Sequence, residues 1–437
     1  MRILEWESLS REQQRAALAR PALEESADVA ATAQTIVARV RRGGDAALRA
    51  YTEEFDGVRL EDFEVSSAEL AAAPDTLTSP QRAAIELAIA NVERFHAAQS
   101  LPPLSMETFS GVRCERIVRP IQAVGLYVPA GSAPLPSAVL MLAIPARLAG
   151  CPERILCTPP GRDGRASSAV LWAAQMCGVQ RVYKVGGAQA IAALAYGCTS
   201  IPQVDKIFGP GNAWVTAAKQ LVSCDPAGAA CDLPAGPSEV LIVADDGARA
   251  EFVAADLLAQ AEHDPRSQAI LVTTSARLAE RVCGEIDTQR RLLSRSTILA
   301  GSLTESRCLL VPDLEAAMRL LNAYAPEHLI LQVREPRRWL EHIQHAGAVF
   351  LGEWSSEPLG DYCTGANHVL PTYGHARAQS GLSLLDFLKT MTVQELSPEG
   401  LRKLGPTAIE LARLEGLDAH AQAVGLRLSA LGAEYAP

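Results

Sequence analysis

From about residue 115 onward, short apolar runs alternate with glycine-rich turns and helical stretches. This rhythm limits what the chain can fold into more than any other feature. Ala123-Val-Gly-Leu-Tyr-Val reads as a strand, Pro129-Ala-Gly-Ser-Ala-Pro as a turn and Ala138 to Leu148 as a helix. Arg154-Ile-Leu-Cys, Arg181-Val-Tyr-Lys-Val and Asp205-Lys-Ile-Phe continue the strands, with helices expected near 166–177, 187–197 and 212–222. A second series runs through Val240-Leu-Ile-Val-Ala, a helix over 248–262, Ala269-Ile-Leu-Val, a helix over 276–285, Cys308-Leu-Leu-Val, a helix over 313–323 and His328-Leu-Ile-Leu. Strands separated by single helices form parallel sheets with crossover connections, and the pattern implies two such units.

The flanks read differently. Residues 8 to 100 have helical periodicity, interrupted at Gly43-Gly44. A helix starting at Ser79-Pro80-Gln81 places Ile85, Ile89, Val92 and Phe95 on one face that must pack against something. Residues 398 to 434 are again helical in pattern.

Length and charge narrow the class. At roughly 150 residues per domain, 437 residues suggest two or three domains with sizeable cores. A net charge of −10 without a dense basic block disfavours nucleic acid and anionic membrane as partners. The longest apolar run, Ala138 to Ala146, contains Pro145 and is far shorter than the ~20 residues of a spanning helix. The charged start lacks the apolar core of a secretory signal. Ten cysteines without a Cys-x-x-Cys pair suit reduced thiols, so a cytoplasmic location is expected.

Four local clusters could carry chemistry. Gln260 and His263 stand three apart at an expected helix end, which puts both donors on one face as half of a metal site. A dipole-complementing helix stop is the plain alternative. Glu327 and His328 precede a strand, where a scaffold commonly positions proton-transfer groups, although capping or surface placement is the ordinary reading of such a dipeptide alone. Gly360-Asp361-Tyr-Cys-Thr-Gly-Ala-Asn-His368 reads as an ordered loop holding an Asp and a His. Glu415-Gly-Leu-Asp-Ala-His420 reads as a helix junction. Two glycine-rich turns, Val185-Gly-Gly-Ala-Gln189 and Gly209-Pro-Gly-Asn212, follow strands and open helices, the arrangement that offers backbone amides to phosphate. Neither is the full dinucleotide fingerprint, because Trp214 stands where a third glycine belongs.

Taken in order, these segments resemble the histidinol dehydrogenase family over almost the whole chain. The matching motifs include Val124-Gly-Leu-Tyr-Val-Pro, Val185-Gly-Gly-Ala-Gln-Ala-Ile, Ile207-Phe-Gly-Pro-Gly-Asn-Ala, Pro234-Ala-Gly-Pro-Ser-Glu-Val, Ala259-Gln-Ala-Glu-His-Asp-Pro, Ala325-Pro-Glu-His-Leu, Asn367-His-Val-Leu-Pro-Thr and Glu415-Gly-Leu-Asp-Ala-His. The resemblance implies an α/β fold with two Rossmann-like, aldehyde-dehydrogenase-like parallel-sheet units, a helical N-terminal region and a C-terminal helical arm. Its expected divisions are a helical segment at 1–20, a larger domain from 21–126 with 237–380, a cofactor domain at 127–236 and a dimerisation arm at 381–437.

The implied activity is NAD-dependent oxidation of L-histidinol through L-histidinaldehyde to L-histidine by a zinc-containing homodimer. Gln260, His263, Asp361 and His420 match the zinc ligands, and Glu327 with His328 the acid–base pair. Ser238, His368 and Glu415 match substrate contacts, together with His328 and the four ligands, while Tyr127, Gln189 and Asn212 match cofactor contacts. Ala130 and the run Cys363-Thr-Gly-Ala depart from the family pattern without removing a proposed ligand. A paralogous zinc- and NAD-dependent dehydrogenase of another polar alcohol is the nearest rival. A zinc hydrolase would leave the two glycine-rich turns without a purpose, and a non-catalytic binding protein would leave every catalytic position filled for nothing.

Overall fold

The computed structural model describes residues 1–20, 26–130, 133–233 and 236–432. The chain divides into two compact units, residues 1–99 with 121–387 and residues 100–120 with 388–437.

The first unit contains two parallel sheets. One has five strands in the order β6 (Arg181–Lys184), β5 (Glu153–Thr158), β4 (Ala123–Tyr127), β7 (Lys206–Phe208) and β8 (Ala230–Cys231). Because chain order reverses at β4, the crevice between the carboxyl ends of β4 and β7 is the switch point where such sheets bind ligands. The other sheet has six strands in the order β1 (Arg2–Glu5), β11 (Arg307–Leu310), β10 (Gln268–Thr273), β9 (Glu239–Ala244), β12 (His328–Gln332) and β13 (Ala348–Leu351).

Both sheets are covered on both faces, which is why their strands read as continuous apolar runs. Side chains alternate across each strand. In the five-stranded sheet Leu126, Leu156, Val182 and Phe208 join one core, while Ile155, Tyr183 and Ile207 join the other. In the six-stranded sheet Val240, Ile242 and Ile330 face one layer of helices and Leu241, Val243 and Leu329 the opposite layer.

The helices before residue 100 pack differently from the expected division. Ser26–Tyr51 buries Ile36, Val40 and Leu48 against Ile191, Leu194 and Val215 of the five-stranded sheet's layer. It kinks at Gly44, whose φ of 50° and ψ of −133° are not helical. Helix Ser79–Ala97 buries Ile89 and Val92 beside Leu142 and Leu171. It starts at Ser79 as expected, and its cap is Thr78, in a reciprocal box with Gln81. Phe95 is exposed rather than packed. The N-terminal segment contains the expected helix, Arg11–Ala17, but begins with a strand, β1, on the edge of the six-stranded sheet. Arg2 to Glu5 is mostly solvent-exposed and carries no hydrophobic periodicity that could have announced it.

The second unit has an antiparallel sheet, β14 (Leu388–Leu396), β3 (Val112–Pro120) and β2 (Leu104–Phe109), plus helices Pro398–Leu414 and Asp418–Ala430. Its own core is small, built on Ile409, Ala412, Ala421 and Leu428. Met106, Phe109, Met391, Val393, Leu414 and Leu426 stay exposed. Among the described residues, no helix is long and apolar enough to cross a membrane.

Candidate active site

A cavity of about 1250 Å³ lies within the first unit, and residues from both parallel sheets line it. That volume exceeds the ordinary range for one drug-sized ligand, about 300–1,000 Å³.

One end is built from turns at the carboxyl ends of the five-stranded sheet. Tyr127, the last residue of β4, is buried, and its hydroxyl accepts a hydrogen bond from the Gly187 amide at 3.0 Å. Burial pushes the phenol up to about 12, so it stays neutral. Gly187 opens helix Gly187–Tyr196 with a φ of 66°, and no side chain caps that helix. Gln189, also buried, follows on its first turn. The Gly209-Pro-Gly turn leads to Asn212, whose side-chain oxygen caps helix Ala213–Ser223 by accepting from the Val215 amide at 3.1 Å. Gly209 has no room for a side chain, because a Cβ there would collide with the Tyr127 carbonyl. Lys219, ion-paired with Asp232, donates to the Gly209 carbonyl at 2.9 Å, and Asp232 accepts from the Gly209 amide at 2.7 Å.

The other end holds the titratable groups. Glu327 immediately precedes β12 and His328 is its first residue; both are buried. The Glu239 amide donates to Glu327 Oε2 at 2.7 Å, and the Glu239 carbonyl lies 3.2 Å from His328 Nδ1. A proton on Nδ1 therefore satisfies that carbonyl and leaves Nε2 free. Nε2 is buried without a hydrogen-bond partner, 3.6 Å from Asp361 and 3.9 Å from Glu357.

The pKa directions follow from crowding. Burial raises Glu327 to about 8, against the opposing pull of His328 and the Glu239 amide. Burial alone would lower His328, but Glu327, Asp361 and Glu357 hold it up, to about 10. Burial and the neighbouring Asp361 raise Glu357 to about 9. Burial would raise Asp361 too, but His328 and His368 keep it well below the usual carboxylate range. One ionised carboxylate beside one protonated carboxyl is the expected state of two acids sharing a small space.

His263, Glu357 and Asp361 bring ligand atoms within 4.8 Å of one another. Gln260, at the end of helix Ala250–Ala261, is fully buried with neither amide atom hydrogen-bonded. A buried amide with no partner is costly in a finished core and expected of a waiting ligand. His368 Nε2 is likewise buried and unpartnered at the cavity wall, and Ser238 lines the same space.

A family model for histidinol dehydrogenase matches residues 19–428. The chain belongs to the histidinol dehydrogenase family. It is 51% identical over 431 residues to the histidinol dehydrogenase of Vibrio parahaemolyticus serotype O3:K6, covering 99% of each chain. It is 53% identical over 428 residues to that of Xanthomonas campestris pv. campestris, covering 98% of this chain and 99% of the relative. The crystal structure of histidinol dehydrogenase from Elizabethkingia anophelis superposes with a TM-score of 0.94 at 42% identity over 99% of each chain.

The structure brings together Tyr127, Gln189, Asn212, Ser238, His263, Glu327, His328, Asp361 and His368 on the wall of one cavity. Glu415, which ends helix Pro398–Leu414, and His420 on the next helix are exposed residues of the second unit. Asp361 sits on a short helix, Glu357–Tyr362, where a loop was expected; Pro358 and Gly360 disguise the helix in the sequence. That helix also places Glu357 four residues before Asp361, on the same face. The loop expected over Gly360 to His368 does not reach Glu357, which joins the site only through this helix.

Proposed function

We propose that the chain catalyses NAD-dependent oxidation of L-histidinol through L-histidinaldehyde to L-histidine. The observation that carries this reading is the opposition, across one cavity, of a glycine-turn surface suited to a dinucleotide and a buried Glu327–His328 pair. Converting an alcohol to an acid removes two hydrides from one carbon in succession. His328, with Nδ1 tied to the Glu239 carbonyl, takes the hydroxyl proton at Nε2 during the first transfer in its neutral form, which gains population as pH rises toward about 10. Glu327, buried beside it, removes a proton from the water that hydrates the aldehyde in its ionised form, which gains population as pH rises toward about 8. No cysteine lines the cavity among the described residues, and burial raises Cys157, Cys177 and Cys308, so a hydrate route fits better than a thiohemiacetal.

The unpartnered Gln260 amide, His263 and Asp361 fit a zinc ion, with His420 from a second copy of the chain as the fourth ligand. Zinc bound there supplies a Lewis-acid contact that holds the imidazole and amine nitrogens of the substrate. Ser238 and His368 border the substrate from this subunit, and Glu415 of the second copy would pair with its ammonium group. Tyr127, Gln189 and Asn212 contact NAD. The homodimer is supported by the second unit, whose exposed apolar sheet and helices have too small a core to be self-sufficient. A cytoplasmic location suits the ten free cysteines.

The deciding experiment measures NADH formed per histidinol consumed. Two per substrate, with histidine as the product, is the expected result. A ratio of one with released aldehyde rejects the four-electron reading, and no NADH with histidinol rejects the substrate.

A further inference from the structure

We infer that Arg20, which follows helix Arg11–Ala17, is a positioning residue that fixes Glu327 and His328 through Glu239. This rests on the functional reading above, and it concerns a residue that touches none of the proposed ligands.

Glu239, the first residue of β9, contributes both backbone groups that hold the pair: its amide to Glu327 and its carbonyl to His328. What fixes Glu239 is its own side chain, which is buried. Arg20 donates from Nε to Glu239 Oε1 at 2.6 Å and from Nη2 to Oε2 at 3.0 Å, a fork that sets orientation as well as charge balance. The guanidinium also lies 4.0 Å over the Tyr324 ring and donates to the carbonyls of Tyr324 and Ala325 at 2.8 and 3.4 Å. Tyr324 in turn donates its hydroxyl to Gln268, and Gln268 donates to the Ala19 carbonyl. The segment that carries Arg20 is therefore tied down on its own account.

Backbone strain makes the arrangement more than a stabilising ion pair. Among the described residues, three other than glycine have positive φ: Ala325 at 55°, Glu335 at 51° and Tyr373 at 56°. Two of these are tethered to this one pair. Arg20 reaches the Ala325 carbonyl, two residues before Glu327, and the Tyr373 amide donates to Glu239 Oε1 at 2.9 Å. Left-handed conformations of residues with a Cβ persist only where their surroundings over-determine them. Here the same salt bridge restrains the chain entering Glu327 and the strand end facing it. Without Arg20, the buried Glu239 side chain loses its charged partner and turns, and the two backbone contacts to the pair drift. A misplacement near 1 Å is enough to cost about 10²-fold in rate.

The test compares Arg20→Lys and Arg20→Met with the wild type in the full-length enzyme. Steady-state kinetics use histidinol and NAD, rates are scaled to folded enzyme, and peptide hydrogen exchange is followed in parallel. Arg20→Met should lose at least about tenfold in kcat, with KM for NAD unchanged within about twofold. Exchange should quicken in peptides covering 236–241 and 324–330 and not in the five-stranded sheet. Arg20→Lys should recover part of the kcat, because an ammonium can pair with Glu239 but cannot also reach the two carbonyls. If Arg20→Met fails to fold, the kcat and local exchange of Arg20→Lys decide alone. Wild-type kcat per folded molecule in both variants, or faster exchange everywhere alike, overturns the inference. The exchange result stands whether or not histidinol is the substrate, so a failure of the functional reading is separately visible.

Discussion

The two parallel sheets present opposite ends to the same cavity. The five-stranded sheet obeys the usual rule for doubly wound folds: Tyr127, Gly187, Pro210 and Asn212 all lie at or just beyond the carboxyl ends of β4, β6 and β7. The six-stranded sheet uses its amino ends. Glu239 and His328 are the first residues of β9 and β12, and Gln260 and His263 come just before β10. The chemistry differs accordingly. The carboxyl-end turns offer backbone amides and small residues, suited to a cofactor held along its length. The amino ends of the six-stranded sheet offer closely packed side chains whose protonation is shifted by burial and then by one another. Similar sheets thus divide the work, one presenting backbone and the other side chains.

The largest effect should come from the side-chain end. His328→Ala should lower kcat for both oxidation steps by roughly 10²–10⁴-fold, the usual worth of a positioned acid–base group. Glu327→Gln should spare the alcohol step relative to the aldehyde step. Co-refolding His328→Ala with His420→Ala extends this test to the proposed dimer. If His420 acts across a symmetric interface, each mixed dimer has one intact site, and random mixing restores about a quarter of wild-type activity. Heterodimers without recovery would place both residues in one subunit's site.

This contrast also explains what the sequence could reveal. The strands of both parallel sheets were legible because burial on two faces leaves continuous apolar runs such as Val240-Leu-Ile-Val-Ala. The strands β2, β3 and β14 escaped notice because they bury little, so their pattern lacks a hydrophobic face to detect. Glycine turns at carboxyl ends were visible as motifs, since local backbone geometry demands particular residues. The side-chain end was legible only in fragments. Glu327-His328 and Gln260 with His263 are local pairs, but their convergence with Asp361 and His368 is a property of the fold, and it was the family resemblance that connected them. Arg20 and Glu239 are separated by 219 positions, and no local spacing can link them.

A smaller effect on turnover is expected at the backbone end. Gly209→Ala introduces a Cβ against the Tyr127 carbonyl, at a φ of 128° that L side chains rarely adopt. The turn cannot yield easily, because its amide and carbonyl are held by Asp232 and Lys219. Displacing it should raise KM for NAD by about tenfold, equivalent to about 1.4 kcal/mol. KM for histidinol should stay near its wild-type value. An equal rise in both constants would mean that the two ends of the cavity do not act separately.

The smallest effect on turnover should come from the unused carboxyl end of the six-stranded sheet. Asp256 is buried there, accepting hydrogen bonds from Gln332, the last residue of β12, at 2.9 Å and from Ser356 at 3.0 Å. A carboxylate at a strand's carboxyl end would ordinarily invite a functional reading, yet Asp256 does not line the cavity. Burial raises its pKa from 3.8 to about 6 despite those two hydrogen bonds. The folded chain therefore binds more protons at this group than the unfolded chain between about pH 4 and pH 6, and the unfolding free energy falls as pH rises through that window. Above it the penalty is complete, at most about 3 kcal/mol, since each tenfold change in proton affinity is worth about 1.4 kcal/mol. Asp256→Asn, neutral throughout, should lose this dependence and gain stability relative to the wild type between pH 4 and pH 7, with kcat unchanged. Denaturant unfolding at several pH values, paired with turnover at pH 7, measures both. A loss of kcat approaching that of His328→Ala would show that both ends of the six-stranded sheet serve the reaction, and the division between amino and carboxyl ends would fail.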